Sequence, residues 1–315
     1  MPLFLNARRR QGEHMTKTRN NSGVLIFGLL MAVIAMMAVQ LRANSSARAA
    51  DKLTPQDVIT KHLEAIGPQE TRDSIKTRLL SGECKFSQKS GQGGQLQGPA
   101  LMASDGKKVL LGMNFGHTTY PFEQFGYDSK KLTVAYIAPA VRTPLGNFLI
   151  TEDISFREGL MGGVLSSAWP LFDAKLNDSR IQYSGIKKVA GQQVHELQYY
   201  PRKGSESQIK LFFDAATFNH VRTEYLKVIS ARAGSNPNLS SQQRETRYDL
   251  WEDFSDFKKE GGLMLPHSYK VQLTVAGMGP TFSNEWAMTF SRFQFNQNIP
   301  AESFNVEKAA AQDKK

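Results

Sequence analysis

The stretch SYKVQLTVAGMGPTFSNEWAMTFSRFQF, residues 268–295, decides the fold class of this chain. Apolar and polar residues alternate on both sides of a turn rich in glycine and proline, which is the period-2 pattern of half-buried β-strands. The apolar phase slips near Ser291, because Phe293 and Phe295 continue out of step, so we expect a β-bulge there. The predicted inward-facing residues are Tyr269, Val271, Leu273, Val275, Trp286, Met288 and Phe290.

The same alternation recurs through most of the chain before this hairpin. Alternating runs occupy residues 80–86, 109–115, 132–138 and 221–225, and the turns include residues 105–106, 190–191, 214–217 and 261–262. Turns this short join antiparallel neighbours, because parallel strands need a crossover of a dozen or more residues. The pattern therefore predicts about a dozen short antiparallel strands.

Two helices are predicted beside the strands. The first covers residues 54–66, with Thr54 as N-cap, Pro55 at the first helical position and Gly67 as its stop. Its apolar face is formed by Val58, Ile59, Leu63 and Ile66. The second covers residues 151–169 and ends at Pro170, although its three glycines weaken it.

These elements predict an α+β fold that is mainly antiparallel β. Two helices cannot cover both faces of so large a sheet, so the sheet must meet water on one face or curl around its own interior. We expect a strongly curved, incompletely closed β-barrel with two or more covering helices. It would form a single domain over residues 51–307, with a polar loop at 230–243 and a disordered tail at 308–315.

The N-terminal residues 1–50 predict export. An uncharged apolar run at residues 23–39 follows basic residues and precedes a small-x-small site ending at Ala49, as in a secretory signal peptide. Extended to 23–41, from Gly23 to Leu41, the run approaches the roughly 20 residues that cross a bilayer. An uncleaved inner-membrane anchor is therefore the alternative, and Met1 or Met15 is the start. Both readings place the remaining chain in the periplasm.

Composition excludes several classes of protein. The formal net charge of the 315 residues is +10, but residues 1–50 hold seven Lys/Arg and one acid, against 32 basic and 28 acidic residues in the rest. The high charge therefore belongs mostly to the export segment, and we expect no nucleic-acid partner. The single cysteine, Cys84, rules out an intramolecular disulfide framework and a cysteine-based zinc finger.

The order of several segments resembles the outer-membrane lipoprotein-sorting protein family, the relatives of the periplasmic lipoprotein carrier LolA. The resemblance spans most of residues 53–307. Its segments are VITKHLEAIG (58–67), LLSGECKF (79–86), KKVAGQQVHELQYYP (187–201), FFDAATFNHVRTEY (212–225), GGLMLPHSYKVQL (261–273) and FQFNQNIPAESFNV (293–306). It implies an unclosed antiparallel barrel capped by helices, with acyl chains or other apolar ligands bound inside.

The sequence contains only weak signals for a metal, phosphate-binding or catalytic site. The histidines at 62, 117, 195, 220 and 267 are scattered with no metal-binding spacing, so we expect no metal and no cofactor. Residues 90–98 are glycine-containing but lack a phosphate-loop pattern, and Cys84 lies on an apolar strand face, as an inert thiol would. Glu252, Phe254 and Asp256 are predicted to share one ordinary strand face rather than to form an acid–base site.

The best candidate site is the apolar stripe of the last two strands. If the sheet curls without filling its interior, Val271, Leu273, Val275, Trp286, Met288 and Phe290 line a cavity; otherwise they are plain core. The first hypothesis is therefore a monomeric, non-catalytic periplasmic protein that shelters a lipid, a lipoprotein acyl chain or another apolar ligand. The alternative is a membrane-tethered envelope scaffold with a filled barrel and no small ligand.

Overall fold

The structure is a computed structural model that describes residues 53–90, 93–173, 180–202, 204–230, 245–277 and 280–307. The predicted export segment at 1–50, all of the predicted loop at 230–243 except Ser230, and the predicted tail at 308–315 lie outside these residues. No helix within the described part of the chain is long and apolar enough to cross a membrane.

The described residues form twelve strands and a few short helices. The strands are β1 (Thr77–Gln88), β2 (Gly94–Asp105), β3 (Lys108–Asn114), β4 (Phe122–Tyr127), β5 (Leu132–Val134), β6 (Ile181–Val189), β7 (Gln192–Tyr199), β8 (Gln208–Asp214), β9 (His220–Ile229), β10 (Thr246–Glu260), β11 (Leu263–Ala276) and β12 (Phe282–Phe295). The α-helices are α1 (Pro55–Ile66), α2 (Gln69–Ser74), α3 (Pro144–Thr151) and α4 (Ile154–Arg157), with 3₁₀ turns at Gly163–Leu165, Pro170–Phe172 and Ala301–Phe304.

Helix α1 begins and ends where the sequence predicts. Thr54 Oγ1 accepts a hydrogen bond from the Asp57 backbone N–H, and the Asp57 carboxylate accepts one from the Thr54 N–H, which completes a capping box. Gly67 follows the last turn with a φ of 145°. The buried face contains His62 in addition to predicted apolar residues, a side chain that periodicity alone did not place there.

The twelve strands form one antiparallel sheet in the order β5-β4-β3-β2-β1-β12-β11-β10-β9-β8-β7-β6. The edge strands β5 and β6 do not pair with each other, so the described sheet is not closed by hydrogen bonds. The chain leaves the centre, reaches one edge at β5, crosses to the other edge at β6 and returns to the centre at β12. The predicted fold class, an incompletely closed and mainly antiparallel barrel, is confirmed.

The predicted bulge near Ser291 is confirmed at the centre of the sheet. Ser81 pairs with Arg292 and Gly82 with Phe290, so Ser291 is the extra residue on β12. A Cβ on Gly82 would lie 1.9 Å from the Thr289 carbonyl oxygen. Only glycine therefore allows the two backbones to approach this closely beside the bulge.

Contacts across the interior show that the sheet is strongly curved. Strands β4 and β7 are nine places apart in the strand order, and at about 4.8 Å per strand a flat sheet would separate them by roughly 43 Å. Yet the Phe156 ring lies 6.3 Å from the Phe125 ring on β4, and Tyr199 on β7 donates to Glu158 at 2.8 Å. One short piece of chain touches both strands, so the sheet wraps around it.

The predicted helix over residues 151–169 is wrong. The chain instead forms α3, which was not predicted, and α4, and then turns repeatedly at glycines with left-handed φ, namely Gly159, Gly162 and Gly163. Most of residues 154–172, here called the interior segment, are buried on all sides. A helical face cannot be recognised in a segment that has no solvent-exposed side.

The strand predicted over residues 132–138 is also shorter than expected. It ends at Val134, and Tyr136 is exposed. The four residues from Leu132 to Ala135 are all buried, because α3 packs on Val134 from one face and the C-terminal segment, whose Val306 N–H donates to Thr133 Oγ1 at 3.1 Å, lies on the other.

The registers of the central strands define two ends of the sheet. Gln88, Gly94, Ala276 and Phe282 lie at one end, here called the mouth. Residues 105–108 and 260–263 lie at the opposite end, where Gly67 at the end of α1 packs against Gly262. Helix α1 thus covers the end that is far from the mouth, and α3 lies at the mouth.

Candidate functional site at the mouth of the sheet

Two cavities adjoin each other at the mouth, on either side of Pro144 and Phe282. The larger measures ≈ 560 Å³ and the smaller ≈ 390 Å³. Both fall within the range of small-molecule sites. The larger is lined by Phe86, Gln88, Gly94, Gln95, Leu96, His117, Thr119, Tyr120, Glu123, Ile137, Val141, Arg142, Thr143, Pro144, Phe282, Asn284 and Trp286. The smaller is lined by Pro144, Asn147, Phe148, Thr151, Glu152, Lys227, Ile229, Tyr248, Val275 and Phe282.

Helix α3 separates the two cavities, and local chemistry fixes where it begins. Thr143 is its N-cap, with its Oγ1 accepting from the Gly146 N–H at 2.9 Å, and Pro144 occupies the first helical position. The same Thr143 hydroxyl donates to Glu123 on β4 at 2.9 Å. The start of the helix is therefore tied to the sheet through one buried carboxyl group.

A chain of hydrogen bonds runs along the wall of the larger cavity. Trp286 Nε1 donates to the Tyr120 hydroxyl at 2.7 Å, and that hydroxyl donates to Glu123 at 2.6 Å. Burial raises the pKa of Glu123 to about 7, against the opposing effect of its hydrogen bonds from Tyr120 and Thr143. The Phe86 ring lies 4.7 Å from Tyr120 and 5.6 Å from Trp286, so the network has an apolar aromatic surface.

The smaller cavity has one charged corner in an otherwise mostly apolar wall. Lys227 Nζ forms an ion pair with Glu152 and lies 3.4 Å from Glu206. The hydrogen bond from the ammonium to Glu152 is the main reason that the pKa of Lys227 is raised. Phe148 and Tyr248 stack with ring centroids 5.5 Å apart beside this pair. A chain-like ligand would find apolar contact along the aromatic wall and charge only at this corner.

The stripe predicted from the sequence is distributed between the mouth and the core. Trp286 lines the larger cavity and Val275 the smaller one. The other four side chains are at most 1% exposed, pack in the hydrophobic core and are not among the lining residues: Val271, Leu273, Met288 and Phe290. Residues that lie far from the stripe in sequence, such as Tyr120 and Phe148, complete the walls, and only the topology brings them there.

The interior segment is fastened to the sheet by a buried carboxyl group. Glu252 accepts hydrogen bonds from the Gly162 N–H at 2.7 Å, from the Tyr225 hydroxyl at 2.7 Å and from the Tyr269 hydroxyl at 2.6 Å. Burial raises the pKa of Glu252 to about 7. Three donors on three separate elements converge on this side chain, so it anchors the interior segment to β10.

The prediction that Glu252, Phe254 and Asp256 share an ordinary strand face is wrong. Glu252 and Phe254 point into the packed interior, whereas Asp256 is exposed with a φ of 56°. The left-handed backbone at Asp256 breaks the alternation, and only the crossing chain supplies partners for an inward carboxyl group.

Arg78 on β1 is a second fastening of the interior segment. Its side chain is buried, its Nη1 donates to the Val164 carbonyl oxygen, and its guanidinium lies 5.3 Å from the Phe172 ring centroid. Burial lowers the pKa of Arg78 to about 10. The cation is therefore held by a carbonyl and an aromatic face rather than by a carboxylate.

The histidines are less scattered than the sequence suggests. His62 and His220 lie with ring centroids 6.2 Å apart, and the Trp169 ring stacks on His220 at 4.6 Å. Trp169 Nε1 donates to His62 Nε2 at 3.1 Å, while His62 Nδ1 bonds to the Phe218 carbonyl at 2.9 Å. Burial lowers the pKa of His62 to about 4. This is a neutral, packed cluster beneath α1.

Two other sequence candidates are placed as follows. Cys84 is fully buried, and burial raises the pKa of its thiol to about 12, which is the state of an unreactive core cysteine. The described part of residues 90–98 lies at the β1–β2 tip and in β2. No group of three or more His, Cys, Asp or Glu is arranged to hold a metal ion within the described ranges.

Comparisons with known proteins give a likeness in structure. No protein-family model matches the sequence, and no curated protein does. A LolA superfamily protein from Nitrosomonas europaea matches with a TM-score of 0.44 and 12% identity, over 81% of this chain and 99% of that one. An outer membrane lipoprotein-sorting protein domain from Vibrio parahaemolyticus matches with a TM-score of 0.36 and 13% identity, over 80% of this chain and 96% of that one. At these scores the likeness assigns no ligand, partner or residue role. The chain is similar in structure to LolA superfamily and lipoprotein-sorting proteins, the resemblance predicted from its sequence.

Proposed function

We propose that this chain is an exported, non-catalytic periplasmic protein that shelters the apolar chain of a lipid or lipoprotein at the mouth of its curved sheet. The observation that carries the proposal is the pair of adjoining cavities at the mouth. Most of the surface of each cavity is apolar, as in sites for small apolar ligands, and the larger cavity also carries polar side chains that could orient a ligand.

The rim of the mouth supports the same function. Val141 lines the larger cavity and Ile229 the smaller one, yet they are 48% and 44% exposed. Apolar side chains that are partly exposed to solvent and partly line a cavity could contact an apolar chain as it enters from a membrane or a partner protein. Each CH₂ group buried there would contribute about 0.8 kcal/mol to binding.

Uptake of a fluorescent hydrocarbon tests the proposal. Diphenylhexatriene should become fluorescent with the wild-type chain, and native mass spectrometry should detect co-purified lipid. Leu96→Asp places a charge in the wall of the larger cavity and should abolish uptake. Leu101→Asp is the matched control, because Leu101 lies on the same strand but is exposed and away from both cavities. A lipid-free mass together with no uptake would contradict the proposal.

A scaffold with a filled barrel is the second candidate, and the interior segment favours it. Its residues occupy the space that a ligand would need below the mouth. This function predicts that crosslinking in the periplasm traps a protein partner, that the mature chain keeps its N-terminal apolar segment, and that Leu96→Asp changes neither result.

A further inference from the structure

One polar side chain interrupts the inward apolar row of β12. Asn284 precedes Trp286, Met288 and Phe290 on the same face of the strand and is 7% exposed. It lines the larger cavity, and its carbonyl oxygen Oδ1 has no hydrogen-bond partner among the described residues. A buried acceptor without a partner costs about 1–3 kcal/mol, which a bound ligand with a matching group would offset.

The other buried polar groups in this wall are already engaged. Tyr120 accepts from Trp286 and donates to Glu123, and Thr143 serves both Glu123 and the first turn of α3. Among the buried polar groups of this wall, the Asn284 amide is thus the one available to hydrogen-bond to a ligand. Its terminal torsion is soft, so it can present either its oxygen to a hydroxyl or its N–H to a carbonyl.

The charges around the cavity indicate which kind of head would fit. Among the described residues that line it, Glu123 and Arg142 carry the charges. Arg142 lies 3.8 Å from the Tyr136 ring centroid, donates to the Val134 carbonyl and pairs with Glu307 at 3.4 Å. The remaining polar lining is uncharged amide, hydroxyl and imidazole: Gln88, Gln95, His117, Thr119 and Asn284. A carboxylate head would meet no free cation here, and it would approach the Glu123 carboxyl group.

We infer that the larger cavity takes an apolar chain with an uncharged, hydrogen-bonding head, such as an ester, hydroxyl or amide, and that the Asn284 amide bonds to this head. The inference rests on the proposed function and makes it more specific. Asn284 is then the residue that sets head-group preference, while the aromatic walls bind the chain.

Competition against diphenylhexatriene, which has no head, separates the two contributions. The purified full chain is titrated with monooleoylglycerol or with oleate, which carry the same chain, at a mildly alkaline pH where oleate is ionised. The wild type should bind monooleoylglycerol at least about tenfold more tightly than oleate. Asn284→Leu should weaken monooleoylglycerol about tenfold and leave diphenylhexatriene within about twofold, because a lost buried hydrogen bond is worth about one decade in affinity.

Two further variants control for structure and for charge. Asn147→Leu makes the same replacement in the neighbouring cavity and should leave the head preference unchanged. Asn284→Asp places a carboxylate at the head position and should shift preference toward oleylamine. If Asn284→Leu keeps the wild-type preference, or if the wild type prefers oleate, the inference is wrong and chain binding stands. If diphenylhexatriene does not bind the wild type, the proposed function fails and the inference fails with it.

Discussion

Below the mouth, the chain itself fills most of the interior of the sheet and leaves one cavity of ≈ 340 Å³ beside the interior segment, whereas two cavities of ≈ 560 and ≈ 390 Å³ adjoin each other at the mouth. In the packed region, the interior segment is bound by Glu252 and Arg78 and covered by α1. At the mouth, α3 is tied to the sheet mainly through Thr143 and Glu123. One region thus serves stability, and the other keeps space that a ligand can use.

The difference follows from topology. The crossing from β5 to β6 joins opposite edges of the sheet, and its residues 154–172 lie on the concave face. Residues 154–172 fill the part of the interior that they cross, and α3 only borders the rest. A sheet wrapped in this way gains a core from its own connection, and the two adjoining cavities lie at the mouth beside α3.

The largest expected effect is the loss of the Glu252 anchor. Glu252→Ala leaves the Gly162 N–H and the Tyr225 and Tyr269 hydroxyls without their acceptor, and we expect it to lower the free energy of unfolding by about 3–5 kcal/mol. Urea denaturation measures the change. Glu83→Ala, at an exposed site on β1, should stay within about 0.5 kcal/mol. Equal effects of the two variants would show that the interior segment is not anchored at Glu252.

Acidification should also destabilise the packed region. Burial lowers the pKa of His62 from 6.5 to about 4, so the unfolded chain binds the extra proton first. The contribution of His62 is complete above about pH 6.5 and is lost as the pH falls toward 4. We expect His62→Gln to remove about 3 kcal/mol of this pH dependence. Denaturation curves of both proteins across this range measure it, and parallel pH profiles would contradict it.

Glu252 acts with the opposite sign in a higher pH window. Its pKa is raised from 4.5 to about 7, so its contribution is complete below about pH 4.5 and is lost as the pH rises through 7. Glu252→Gln should therefore remove a decrease in stability with rising pH between 4.5 and 7. His62 has the opposite effect over most of this window, so the measurement compares His62→Gln with the His62→Gln/Glu252→Gln double variant. Parallel pH profiles of these two proteins would contradict the contribution of Glu252.

A smaller effect is expected from the corresponding carboxyl group at the mouth. Glu123→Ala frees the hydroxyls of Tyr120 and Thr143, but both adjoin a cavity that water can enter, so we expect a loss of about 1–2 kcal/mol. Hydrogen exchange should accelerate in α3 and stay unchanged in α1. Faster exchange in α1 would mean that the two regions are not independent.

The sequence predicted those parts of the fold that depend on local signals. Thr54, Pro55 and Gly67 mark α1 through capping chemistry, and the phase slip at Ser291 marks the bulge. Period-2 alternation predicted about a dozen antiparallel strands and located those with one inward face, such as β3, β11 and β12, whereas β5, which is buried on both faces, was predicted too long. The interior segment escaped prediction because a chain buried on every side shows no period.

The candidate site was predicted only in part for a related reason. Trp286 and Val275 lie in an alternating row that periodicity reveals, whereas Tyr120 and Phe148 reach the cavities through pairings that no local pattern encodes. The partners of Glu252 are likewise remote, with Gly162 ninety residues away. Asn284 did leave a signal, since it is a polar residue in an inward row of apolar ones.

Contact quenching of single tryptophans by a brominated alkyl chain tests the division into a packed region and a mouth most directly. Trp286 lines the larger cavity at the mouth, while Trp169 stacks on His220 beneath α1 and lines a separate cavity of ≈ 340 Å³ at the opposite end. One protein keeps only Trp286 (Trp169→Phe, Trp251→Phe), and the other keeps only Trp169 (Trp251→Phe, Trp286→Phe). We expect an alkyl amide brominated at mid-chain to quench Trp286 strongly and to leave Trp169 unaffected. Equal quenching of both, or quenching of Trp169 alone, would contradict the account.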